Sequence, residues 1–167
     1  NMGRHWSHSF GSRVGDPRNP SPYLLDDDGS FKLFEKSGTD SLGQLFRVRG
    51  MSDLAARVSG GNFELVDDAG HTRIYSGTNG ALLRRVHTSD PLRDLTFSYD
   101  ANGFLTQASD GTQRSLTFHY SDLQVLADEF GTSTITRTAR LLTEIVLPDG
   151  GVVEYSYDAH GNLVEVR

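Results

Sequence analysis

The chain has 167 residues with 36% apolar and 10% aromatic content, enough to bury a core, which excludes wholesale disorder. Its 16 Lys and Arg against 22 acidic residues give a net charge of −6, so there is no broad electrostatic footprint for phosphate backbones and nucleic acid is not an expected partner. The lack of cysteine rules out a disulfide framework or a thiolate zinc site, and no apolar run approaches the roughly 18 residues of a membrane-spanning helix.

The opening "NMGRHWSHSF" lacks the basic-then-apolar order of a signal peptide. His5 and His8 could share a metal on a helix face, with carboxylates from Asp26, Asp27 and Asp28. On a strand the two histidines point to opposite sides; this is the simpler reading, so neither a metal nor a cofactor is expected. "DDDGSF" (26–31) resembles the start of a calcium loop but lacks the alternating ligands and closing Glu of an EF-hand, and a hairpin turn fits better. Residues 39–60 show little repeat grammar and are read as irregular. Within them "MSDLAARV" (51–58) is the best helical pattern, with Ser52 or Asp53 as cap and Gly60-Gly61 as stop. "DDAGHT" (67–72) is a second acid-then-glycine turn. "LLRRVH" (82–87) is either a docking strip for an acidic partner or, the favoured reading, an edge strand whose arginines oppose aggregation.

From residue 95 the pattern is strand-like. Leu95, Phe97 and Tyr99, then Leu116, Phe118 and Tyr120, then Val153, Tyr155 and Tyr157 alternate with polar residues, the period of half-buried strands. "SDGTQR" (109–114) and "PDGGVV" (148–153) supply further turns. "YDANGFL" (99–105) returns as "YDAHGNL" (157–163), identical at five of seven positions. A two-residue turn on Asn102-Gly103 would need positive φ at both positions, which His160 in the second copy tolerates poorly. A type I turn followed by a bulge suits both copies: Asp100 and Asp158 open it, and only Gly103 and Gly161 are left-handed. Tyr99 and Tyr157 then anchor the incoming strands, and Leu105 and Leu163 restart the return strands. Such repetition means stacked hairpins in an extended sheet.

The rings of Tyr99, Phe118, Tyr120, Tyr155 and Tyr157 are read as core, with a sugar-stacking platform as the alternative. His71, His87, His119 and His160 are read as solvated surface. There is no G-x-S-x-G, no phosphate-loop lysine motif and no nominated triad, so the chain is not expected to be an enzyme.

These residues carry a resemblance. "FSYDANGFL", "SLTFHYSD" and "LPDGGVVEYSYDAHGNLVEV" resemble repeats of the Rhs, or YD-repeat, family, whose members include bacterial polymorphic toxins, toxin-complex components and, more distantly, teneurins. "GRHWSHSFGSRV" resembles the tryptophan-containing segment that opens the Rhs shell, with Gly3, Trp6, Ser7 and the Ser9-Phe10 pair on the pattern. "LLDDDGSFKLFEKSG" and "FELVDDAGHTRIYSGTNGALLRRV" resemble the DG-rich hairpins that follow it, while 39–60 and 123–141 depart from the pattern.

The resemblance implies an all-β fold of antiparallel hairpin repeats in an extended curved sheet, part of an Rhs-type β-shell. Residues 1–167 then form a single region from the N-terminal part of the repeats: an opening segment and first DG hairpin (1–38), the irregular stretch (39–60) and hairpin repeats (61–167). The abrupt ends suit a fragment of a longer protein. The implied role is structural, part of a wall that encloses and protects a C-terminal toxin or effector for delivery; the alternative is a carbohydrate- or cell-surface-binding module. Implied partners are the rest of the chain with its toxin region, secretion-apparatus proteins and, through an open sheet edge, a second copy. The implied location is secreted or delivered to a cell surface. Nothing matches the family's C-terminal processing motif, so no protease role is assigned.

Overall fold

The computed structural model describes residues 11–15, 21–26, 28–48, 55–67, 70–129 and 133–167. The all-β expectation holds: fourteen strands, each hydrogen-bonded to its neighbours in chain order, form an antiparallel sheet. Chain contacts group the residues into two compact units, one from Ser9–Ser98 with Ser109–Gln113, the other including Tyr99–Ala108 and Arg114–Arg167. Among the described residues no helix is long and apolar enough to cross a membrane.

The first unit holds β1 (Arg13–Gly15), β2 (Tyr23–Leu25), β3 (Phe31–Asp40), β4 (Gly43–Val48), β5 (Ala55–Ser59), β6 (Asn62–Val66), β7 (Thr72–Ser76) and β8 (Leu82–Val86). A single 3₁₀ turn (Pro91–Arg93) then leads into β9 (Leu95–Tyr99). Alternate side chains point inward, so Leu24, Phe34, Phe46, Phe63, Leu65, Tyr75 and Leu82 are all buried. Phe63 is the hub, edge-on to Phe34 at 5.3 Å between ring centroids and tilted against Phe46 at 5.9 Å.

β1 also reaches the turn between β7 and β8. The Val14 amide donates to the Gly80 carbonyl at 2.9 Å, Arg13 bridges Ala81, and the buried Ser12 hydroxyl lies 3.0 Å from the Tyr75 hydroxyl. This approach requires glycine. Gly80 has φ +71°, and a Cβ there would sit 1.6 Å from the Val14 carbonyl oxygen.

Residues 39–60 are corrected by the structure. Far from being irregular, they include strand at Gly43–Val48 and Ala55–Ser59, and the helix expected over 51–58 is replaced by β5 at its described end. Residues 51–54, with Ser52 and Asp53, lie outside the described residues. Pairing decides the matter, because β4 and β6 flank β5 and offer its backbone partners on both sides. Ala56 is buried on one face, while on the other Arg57 pairs with Asp40. Gly60 and Gly61, at φ +56° and +82°, form the two-residue turn into β6 rather than a helix stop. β8 likewise is not an edge strand, since it lies between β7 and β9. Its Arg84 pairs with Asp94 at 2.9 Å.

The second unit is built on a long hairpin, β11 (Ser115–Glu129) with β12 (Ser133–Val146), whose register shifts at a bulge between His119 and Tyr120. β13 (Val152–Tyr157) and β14 (Leu163–Val166) follow it, and β10 (Leu105–Asp110) precedes it. Leu105, Ala108, Phe118, Leu141 and Leu142 are its buried apolar residues. The departure from repeat grammar over 123–141 thus falls within this hairpin.

One turn breaks the local rule. Among the described residues Gln113 is the sole non-glycine with positive φ, at +67°, and its amide donates to the Asp110 carbonyl at 3.0 Å. Gly111, in the same turn, is needed elsewhere: a Cβ there would lie 2.1 Å from the Pro91 carbonyl oxygen. Gln113→Gly should relieve the strain of a left-handed side chain, partly offset by the greater freedom of unfolded glycine, for a net gain of about 0.5–1 kcal/mol. A urea titration checks this, and a lowered midpoint would contradict the strain.

Candidate functional site

Five turns share one hydrogen-bonding scheme. The opening residue, Asp26, Asp67, Asp100, Leu147 or Asp158, accepts the amide of a glycine three positions on at 3.0 Å. It also donates its own amide to the carbonyl four positions on, at 2.7–3.1 Å. The glycines, Gly29, Gly70, Gly103, Gly150 and Gly161, have φ between +77° and +85°. In the two YD copies the Asp carboxylate adds bonds of its own. Asp100 Oδ1 accepts the amides of Asn102 and Phe104, both at 2.9 Å, and Asp158 Oδ1 accepts those of His160 and Asn162 at 2.8 and 2.9 Å.

The surrounding anchors occupy defined places. Tyr99 ends β9 half-buried, and Leu105 opens β10 at 2% exposure. Tyr157 ends β13, its hydroxyl donating to the Leu142 carbonyl at 2.6 Å, and Leu163 opens β14 half-buried. Trp6, His5 and His8 lie outside the described residues.

The two YD turns differ in what they touch. Gly103 faces open space, whereas Gly161 is buried: a Cβ there would meet Val125 Cγ1 at 3.2 Å and Leu141 Cδ1 at 3.7 Å. The neighbouring Ala159 carbonyl accepts the Leu126 amide at 2.7 Å, which ties the second turn to the long hairpin. At the first turn the Arg140 guanidinium stands 5.3 Å over the Phe104 ring and 3.6 Å from Asp100, and Phe104 packs on Tyr120 at 5.1 Å. Burial, then the charge of Asp100, pushes the Tyr120 phenol up to about 12. Burial does the same to Tyr157, with Tyr155 adding to it, again to about 12.

Asp158 is held below its ordinary value of 3.8, chiefly by the Asn162 side chain, whose Nδ2 donates to Oδ2 at 3.0 Å, and then by the Asn162 amide. A depressed folded value means the turn's contribution is complete above the ordinary carboxylate pKa and is lost as pH falls through the folded value. Asp158→Asn keeps the acceptor oxygen without titrating there. Its unfolding midpoint should therefore fall less steeply than wild type as pH drops below the ordinary carboxylate value of 3.8. Parallel pH profiles would remove Asp158 from the acid limb.

Sequence reasoning treated His71 and His87 as separate surface residues, but their rings lie 4.5 Å apart. The β7–β8 register, with Thr72 opposite Val86, brings them together. His119 is exposed, 3.8 Å from Glu144, and His160 is exposed in its turn. Among the described residues no three His, Asp or Glu side chains are grouped to hold a metal.

Fold and turns together define an antiparallel β-hairpin repeat protein whose recurring element is a turn closed by a left-handed glycine. The family model described as RHS Repeat matches residues 140–167, and the match supports the Rhs/YD-repeat family for this chain. The matched stretch contains β13, the Asp158 turn and β14. The RHS repeat is a structural repeat, which is consistent with a protein that is not an enzyme. No curated protein matches the chain.

Proposed function

We propose that this chain forms part of the wall of a β-shell that encloses and protects a C-terminal toxin or effector of a secreted or surface-delivered bacterial protein, residues 1–38 lying where that wall begins. The observation that supports this reading most is the strand order: each hairpin lies beside the one before it, so the sheet extends by addition. Among the described residues β14 pairs only with β13, and its Val164 and Val166 are 62% and 53% exposed. A further hairpin, from the same chain or a second copy, fits such an edge. On this reading the toxin region and secretion-apparatus proteins are the partners, and the wall itself needs no reactive group.

A second reading, recognition of a cell-surface carbohydrate, draws on Tyr23 and Phe31. Their rings pack at 4.9 Å while remaining 37% and 61% exposed. The rings nominated from sequence are less suited: Phe118 is buried, and the Tyr157 hydroxyl is engaged with the backbone.

The reading frame around this stretch tests the proposal. Further YD repeats, then a variable domain and a small neighbouring immunity gene, support the enclosing wall. A stop codon soon after Arg167 overturns it and moves the test to a glycan array, where loss of binding in Tyr23→Ala would support the second reading.

A further inference from the structure

Asparagine is followed by glycine twice in the chain, at Asn79-Gly80 and at Asn102-Gly103. Asparagine is a thermolabile residue, and before glycine it is most so, because no Cβ shields the following amide nitrogen from its carboxamide carbon.

The fold treats the two pairs differently. Asn79 is held in place: its Oδ1 accepts the Ala81 amide at 3.1 Å and its backbone carbonyl accepts from Arg13 at 3.3 Å. Gly80 beside it is buried against the Val14 carbonyl. In the first YD turn Asn102 and Gly103 are both exposed. The Asn102 carboxamide has no hydrogen bond among the described residues, and a Cβ on Gly103 would meet nothing within 4 Å. Both glycine amides donate within their turns, Gly80 to the Ser76 carbonyl at 2.8 Å and Gly103 to the Asp100 carbonyl at 3.0 Å, so that restraint is common to the pairs. The free carboxamide and the open space belong to Asn102 alone.

We propose that Asn102 is a self-modification site. The Gly103 nitrogen attacks Asn102 Cγ, the bond from Cγ to the side-chain nitrogen breaks, and ammonia leaves with the proton of the Gly103 amide, closing a succinimide ring. Water opens the ring at either carbonyl and leaves aspartate or isoaspartate at position 102; water is the sole co-reactant. Asp100 Oδ1 accepts the amides of Asn102 and Phe104, both at 2.9 Å. Isoaspartate inserts a methylene into the main chain between these two donors, so that one carboxylate oxygen no longer reaches both, and either product adds a negative charge to the turn. The second YD turn has His160 at the corresponding place and is exempt. The first turn therefore loosens with the age of the molecule, whatever the wider protein does.

The test is to hold the folded chain in mildly alkaline buffer at body temperature and follow its tryptic peptides by mass spectrometry, with isoaspartyl methyltransferase labelling. Cleavage after Arg73, Arg84, Arg93 and Arg114 puts Asn79 and Asn102 on separate peptides, and fragment masses distinguish residue 102 from Asp110-Gly111. Asn102 should convert about tenfold or more faster than Asn79, and the difference should collapse in urea, where neither is held. The aged chain should melt below the fresh one, whereas Asn102→His, which copies the second turn, should melt alike fresh and aged. Equal conversion at Asn79 and Asn102 in the folded chain overturns the proposal, as does no conversion at Asn102 while the urea-unfolded chain converts. An aged wild-type chain that melts with the fresh one, or an equal loss on ageing in Asn102→His, overturns the loosening.

Discussion

Gly161→Val is expected to destabilise the protein by about 3–4 kcal/mol, lowering the melting temperature by roughly 8–14 °C for a chain of this size. Two effects add. A β-branched residue resists the φ of +77° that the turn imposes, and its Cβ would press on Val125 and Leu141 at 3.2 and 3.7 Å. Gly103→Val separates them, because Gly103 has the same backbone conformation, φ +83°, with nothing within 4 Å of a Cβ. That variant should lose only the backbone share, about 1–2 kcal/mol. Equal melting temperatures for the two variants would show that the packing of the second turn against β11 and β12 contributes nothing.

Phe63→Ala should cost about 3–5 kcal/mol. Phe63 is fully buried, and its loss removes contacts to Phe34 and Phe46 together. Collapse to fill the space is limited, because the flanking residues sit on strands paired on both sides: β6 lies between β5 and β7. Phe63→Leu keeps most of the volume and should cost less than half as much. A loss below about 1 kcal/mol for Phe63→Ala, measured by denaturant unfolding, would mean that the three rings are not the keystone of the first unit.

What could be read from the chain alone was what is local. The alternation in 95–99, 116–120 and 153–157 states a strand within five residues, and those segments lie in β9, β11 and β13. The Asp-x-x-Gly spacing of the two YD copies states a turn within four residues, and Gly103 and Gly161 are left-handed at that spacing. Over 39–60 the local signals conflict with the fold. A bulge between Lys36 and Gly38, just ahead of this stretch, shifts the period-two count, Leu45 and Phe46 are adjacent apolar residues, and Ala55-Ala56-Arg57 favours helix by propensity, yet pairing with β4 and β6 overrides it.

The cross-strand neighbours on β7 and β8 were illegible for a different reason. "HTRIY" and "LLRRVH" each look like ordinary strands with surface charge. Only the β7–β8 register sets Arg73 opposite Arg85 and His71 beside His87, and register between strands is not written in either segment separately. Gln113 was hidden similarly: "SDGTQR" offers its glycine in the second position of the turn, where Pro91 demands it, leaving glutamine the left-handed slot.

The agreement between strand order and chain order bears on how such a protein is made. A nascent hairpin leaving the ribosome finds its partner already folded beside it, so the sheet can zip from one end without threading or waiting for distant sequence. Low contact order of this kind gives a β protein a short route through the aggregation-prone states that usually slow sheets. The Asp26–Arg73 pair departs from this over 47 residues, and the return of β1 to the β7–β8 turn over more, a loop that closes only after some sixty residues have been synthesised, as the 66-residue separation of Arg13 and Asn79 records. That closure is the step at which folding of the first unit is expected to pause.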